Sequence, residues 1–148
     1  MLVRTKADCG FSLTELLLVL AVITVVASLS LPAFRGTMSS YRLKASADLI
    51  AGELDAARVM AISRGTIYEV RIAGSSVRVI DPQDEGNPPR IEKFLEEGVT
   101  VDGTRTITFQ PRGTATEANI RLQNETGEAT IDVTRTGRIE VKLSGKEK

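Results

Sequence analysis

Glu15 is the single charged residue between positions 11 and 34, set among apolar and small neighbours. A carboxylate at the edge of such a run is costly to desolvate, so it implies a cationic partner or a water boundary. Cys9 is the only cysteine, which excludes an internal disulfide framework and any multi-thiolate metal site. Histidine is absent, so neither a Ser-His-Asp nor a Cys-His relay can form. No other nucleophile–base pair is evident, and the chain reads as non-enzymatic and without a cofactor. Asp81, Asp84 and Glu85 share a stretch with Asn87, Pro88, Pro89 and Arg90. Such carboxylates can hold calcium, but their spacing is not that of an EF-hand loop, and the prolines describe an extended, solvated connector. Arg135, Arg138, Lys142, Lys146 and Lys148 outnumber Glu140 and Glu147 near the C-terminus, a local excess able to meet phosphates. Only Tyr68, Phe94 and Phe109 offer rings for base stacking well inside the domain after the helix, so a solvated edge strand with a charged tail is the favoured reading. Over the whole chain Lys+Arg 19 balance Asp+Glu 19, which leaves no global field for nucleic acid or anionic lipid.

The elements that must position these groups begin with the apolar run itself. In residues 16–34 only Thr24, Ser28, Ser30 and Pro32 are not apolar. A helix rising ~1.5 Å per residue needs about 20 such residues to span a bilayer, and this run suffices. Arg4 and Lys6 against Asp8 make a basic leader, which favours a cytoplasmic N-terminus. A cleaved secretory signal would need a small-x-small site after the run, and Ser28-Leu29-Ser30 is a poor one. A lipoprotein signal would place its cysteine after the run, whereas Cys9 precedes it. A plain signal anchor accounts for the length and the leader but not for Glu15.

Beyond the anchor the helix is expected to continue to Gly65, a natural C-cap behind Arg64. Tyr41, Ala45, Leu49, Leu54, Ala57 and Ala61 approximate one apolar face, with Arg42, Lys44, Asp48, Glu53, Asp55 and Arg58 on the remainder. Pro32 removes a backbone donor and, with Gly36 nearby, marks a kink or flexible joint. After Gly65 the period becomes two, in runs around Val70 and Ile72, Val77 and Val79, Ile107 and Phe109, Ile120 and Leu122, Ile131 and Val133, and Ile139, Val141 and Leu143. Gly74-Ser75 and Thr136-Gly137 read as hairpin turns. One long helix followed by short strands with glycine turns predicts an α+β domain with an antiparallel sheet packed on the helix.

Cys9-Gly10-Phe11-Ser12-Leu13-Thr14-Glu15 resembles the class III signal of type IV pilins and type II secretion pseudopilins. That pattern is a short basic leader ending in Gly, then Phe, then Glu four residues on, then the apolar run. Pro32 also falls where these proteins often carry proline. The resemblance implies a prepilin peptidase cutting between Gly10 and Phe11 and methylating the new Phe11 amine. It also implies a role for Glu15, which would pair with the Phe11 amine of a neighbouring subunit and set axial register in a filament. Further on, residues 54–62, the 107–115 segment Ile-Thr-Phe-Gln-Pro-Arg-Gly-Thr-Ala and the closing hairpin around Gly137 resemble the GspH/FimT branch of minor pilins. Together these imply a leader over 1–10, a transmembrane polymerisation helix over 11–34, an amphipathic stem over 35–65 and an antiparallel β domain over 66–148. They also imply a minor subunit, anchored by a single pass in a bacterial inner membrane, with its C-terminal domain in the periplasm. Its partners would be other pilin or pseudopilin subunits, the peptidase and an inner-membrane assembly platform. Some FimT-type pilins take up DNA through basic residues near the end. Arg135 and Arg138 are the matching candidates here, although the second basic residue of a Gly-Arg-x-Arg pattern is replaced by Glu140.

Overall fold

A computed structural model of the chain describes residues 12–84 and 89–145, without the side chains of residues 29–36 and 145. The first element is helix α1, Leu13–Arg64. It ends where Gly65 takes φ +66°, a left-handed conformation that glycine adopts without steric cost. By backbone contacts the chain divides after Arg35 into two compact units.

In the second unit, from Gly36 onward, eight strands follow: β1 Tyr68–Ala73, β2 Ser76–Ile80, β3 Ile91–Phe94, β4 Thr100–Val101, β5 Arg105–Phe109, β6 Ala118–Gln123, β7 Gly127–Val133 and β8 Ile139–Gly145. They form two four-stranded antiparallel sheets, ordered β3-β2-β1-β5 and β4-β6-β7-β8. The fold is therefore α+β, as expected, with two sheets where the sequence suggested one. Strand alternation is clear in β1, where Tyr68, Val70 and Ile72 are buried and Arg71 points out. Ile107, Phe109, Ile120, Leu122, Ile131 and Val133 bury the inner faces of the other strands. These side chains and the buried face of α1 make one core.

The helix face differs from the expectation at its N-terminal end. Leu43, Ala47, Ile50, Leu54, Ala57 and Ala61 are buried, at steps of four and three. Tyr41 is 68% exposed and Ala45 only half-buried. The expected face contained a five-residue step from Leu49 to Leu54, which a helix of 3.6 residues per turn cannot keep on one side. Glu53, assigned to the polar side, is buried instead. It lies on the same stripe as Ile50 and Ala57, and the Lys93 ammonium on β3 meets its carboxylate at 2.5 Å.

Polar clips hold α1 to the sheets. The Ser46 hydroxyl accepts from the Glu96 backbone N–H at 3.1 Å, and Arg58 Nε donates to the Gly113 carbonyl at 3.2 Å. Asn124 Nδ2 donates to the Ser39 carbonyl at 2.7 Å, while its Oδ1 accepts from the Thr126 and Gly127 backbone N–H groups. One side chain thus closes the β6–β7 turn and ties it to the helix. The expected hairpins are present. Gly74-Ser75 joins β1 to β2, and the β7–β8 turn closes with Thr134 N–H donating to the Arg138 carbonyl at 2.9 Å.

Candidate functional site

The first turn of α1 is where the sequence places its one unusual charge. The Ser12 carbonyl accepts from the Glu15 and Leu16 backbone N–H groups at 3.0 and 3.1 Å, and the Ser12 and Thr14 hydroxyls lie 2.7 Å apart. Glu15 thus sits in the first turn of the helix, where the helix dipole favours a carboxylate. Behind it Leu16, Leu17, Leu18, Leu20, Val22, Ile23, Val25 and Val26 are all at least half exposed, so apolar side chains surround the helix. Thr24 hides its polarity by donating to the Leu20 and Ala21 carbonyls, and Ser28 donates to Val25. A helix apolar on every side has no stable existence in water and requires lipid or other apolar helices around it. Among the described residues no helix is long and apolar enough to cross a membrane. The apolar run continues through residues 29–34, whose side chains lie outside the described set. Gly10 and Phe11 also lie outside the described residues, and Pro32 falls within α1 with its side chain undescribed.

The C-terminal basic residues do not form one patch. Arg135 and Arg138 are exposed in the turn between β7 and β8, and Arg138 pairs with Glu140 at 2.9 Å. Beside that turn is a recess of about 520 Å³ lined by Ala51, Asp55, Arg58, Thr136, Arg138 and Ile139. Its walls carry both signs of charge. Lys142 lies apart, on the outer face of β8, where it pairs with Asp132 at 2.8 Å. The Lys142 hydrogen bond, helped by one from Asn119, holds the Asp132 carboxyl below the usual carboxylate range, and Asp132 in turn raises Lys142. Lys146 and Lys148 lie outside the described residues.

The connector after β2 is closed on itself. Arg90 reaches Asp81 at 3.5 Å and Asp84 at 3.7 Å, so a cation already occupies both carboxylates. Glu85 lies outside the described residues. Among the described residues no cluster of three metal-ligating side chains occurs. Sequence reasoning missed Glu53, Ser46 and Asn124 as the groups that fasten the helix. Only Glu53 left a signal, its place on the stripe that includes Ile50, Leu54 and Ala57.

Comparison with known proteins agrees with this arrangement at both ends of the chain. Residues 5–31 match the prokaryotic N-terminal methylation motif, and residues 46–137 match the family described as type II transport protein GspH. No curated protein sequence matches the chain significantly. Among solved structures, the minor pseudopilin EpsH of the Vibrio cholerae type II secretion system is similar, with TM-score 0.58 at 15% identity over 69% of this chain and 97% of that one. The Pseudomonas aeruginosa type IV minor pilin FimU is similar to the same degree, with TM-score 0.56 at 18% identity over 69% and 97%. These two likenesses establish the pilin-like fold. The family match covers more than half of the chain, from within α1 through β7 and including the 113 and 137 turns, and the chain belongs to the GspH family.

Proposed function

We propose that this protein is a minor pseudopilin subunit of a type II secretion system. Its family consists of structural subunits and not enzymes, and pilin-like subunits assemble with other pilins. In this reading residues 11–34 anchor the chain in the bacterial inner membrane by a single pass, and the unit from Gly36 onward stands in the periplasm. The N-terminal motif implies a prepilin peptidase, which cuts between Gly10 and Phe11 and methylates Phe11. An assembly platform then draws the subunit into a filament that helps export folded proteins.

The observation that carries the reading is Glu15, a lone carboxylate in the first turn of α1, ahead of residues 16–28, whose apolar side chains surround the helix. Cleavage creates a cation on Phe11, and Glu15 of the adjoining subunit neutralises it when the two helices stand in register. A misplaced neighbour leaves both charges unpaired among apolar helices, at a cost of several kcal/mol. Pro32 supplies a joint above the packed stems. Glu15→Ala is expected to leave the chain in the membrane fraction and to reduce its incorporation into filaments at least tenfold. Unchanged incorporation would remove the register role.

A second reading is a minor type IV pilin of FimT type that binds DNA. It is favoured by Arg135 and Arg138 in one exposed turn beside Arg58, and disfavoured by Glu140 and Asp55 among them. Salt-dependent DNA binding by the whole chain, lost in Arg135→Ala with Arg138→Ala, would establish it.

A further inference from the structure

Strand β8 is the longest strand at an edge of either sheet, and nothing pairs with its outer side among the described residues. The other edges are short or closed. β4 has two residues and β3 has four, with Lys93 of β3 tied down to Glu53. Beside β5, Ala115 bridges to Phe109 and the Thr116 N–H donates to the Thr108 carbonyl. A long free edge is a liability that proteins normally blunt, so β8 requires an explanation.

Register shows what that edge offers. Thr134 and Arg138 form a hydrogen-bonded pair, and antiparallel strands alternate bonded and non-bonded pairs. From there Glu140 and Lys142 bond to β7, while Ile139, Val141 and Leu143 direct their N–H and C=O groups at the free edge. The same three residues share the inner face of the sheet. Their partners on β7, Val133, Ile131 and Ala129, are almost wholly buried, yet Val141 is 36% and Leu143 53% exposed. Between them and α1 the surface is open at both ends. The recess with Ala51, Asp55 and Arg58 lies beside Ile139, and a smaller one with Ser40 and Leu43 lies beside Leu143 and Ser144.

We propose that this trough receives an extended strand of a different filament subunit, one with apolar side chains at alternate positions and a polar residue at the recess of Asp55, Arg58 and Arg138. Such a strand satisfies the outward backbone groups of Ile139, Val141 and Leu143 and covers their side chains in the same step. At the turn end the recess carries Asp55 beside Arg58, and Arg138 paired with Glu140, so it takes a polar residue of the incoming strand. A second copy of this chain pairing β8 antiparallel to β8 would run the two α1 helices in opposite directions, because α1 runs alongside β8, with Ser40 and Leu43 near Leu143 and Arg58 near Ile139. That is incompatible with stems anchored in one membrane, and to this extent the inference rests on the proposed function.

The test places a photo-crosslinking amino acid at position 141 or 143 of the full chain, in cells that assemble the filament. The expected result is one adduct with a different subunit, the linked residues lying two apart along one extended segment as the probe moves by two. Val141→Pro removes an outward N–H and no bond to β7, so it is expected to reduce the position-143 adduct at least tenfold, while Lys142→Ala leaves it intact. Where the proline variant is degraded, Leu143→Lys, which keeps the backbone, must cause the same loss of the position-141 adduct. An adduct with a second copy of the chain, or one indifferent to both variants, overturns the proposal. Filament incorporation is read in the same cells. Incorporation without any adduct overturns the strand proposal alone, and an adduct without incorporation supports the strand and counts against the filament role.

Discussion

Gly137 and Asp132 show how single residues set the local structure around β8. Gly137 has φ +77°, and a Cβ there would run into the Gly113 carbonyl oxygen and crowd the Arg58 guanidinium. Neither the backbone nor the packing tolerates a side chain, so Gly137→Ala is expected to cost about 2–4 kcal/mol, read as a lowered midpoint in thermal unfolding. The glycine was legible in the sequence as a turn residue. Its close approach to a second glycine turn 24 positions earlier was not, because only the folded chain brings residues 113 and 137 together. Asp132 makes a pH prediction. Its lowered pKa means that its contribution to stability is present above the ordinary carboxylate range and fades as pH falls through the folded value. Lys142, raised by the same contact, contributes below the ordinary lysine value and loses that contribution at more alkaline pH. A carboxyl-carbon NMR titration should place the Asp132 midpoint below the usual range, and Lys142→Ala should move it upward.

For the elements, the helix shows most clearly how a pattern becomes a surface. The strands were readable because a period of two alternates faces without drift, and the Val70, Ile107 and Ile131 positions are buried as the alternation requires. The helix face was legible only in part, because alanines, a serine and a glutamate interrupt the apolar stripe. The steps of four and three from Leu43 to Ala61 decide it, and Tyr41 falls outside them. Leu54→Ala, at a fully buried position, is therefore expected to cost about 2–5 kcal/mol, and Tyr41→Ala less than about 0.5 kcal/mol. Equal losses on chemical denaturation would contradict the observed face. The Glu53–Lys93 pair belongs at this scale, since it joins α1 to an edge strand across the core margin. One carboxylate oxygen, Oε2, is buried with no hydrogen-bond partner among the described residues. The pair thus specifies where β3 docks more than it stabilises the domain.

At the scale of the whole molecule the chain contains two solutions to the problem of apolar surface. The unit from Gly36 onward covers its own apolar residues with a helix and two sheets. The described side chains of residues 16–28 leave theirs outward on all sides, a surface that water does not favour. A chain beginning at Gly36 is therefore expected to remain in solution without detergent and to unfold in one cooperative transition, with the midpoint that the full chain shows in detergent. Separate transitions for the two sheets would mean that they do not share a core.

The sequence by itself determined the apolar stretch ahead of a β-rich head, the carboxylate at Glu15, the glycine turns and the family resemblance. These depend on local composition and on short spacings, which one strand of text contains completely. Tertiary structure alone decided that the strands form two sheets, that Glu53 is buried against Lys93, that Arg90 holds Asp81 and Asp84, and that β8 is left with a free edge. Each of these is a relation between residues far apart in the chain, and which surfaces meet depends on how helix and sheets share one core.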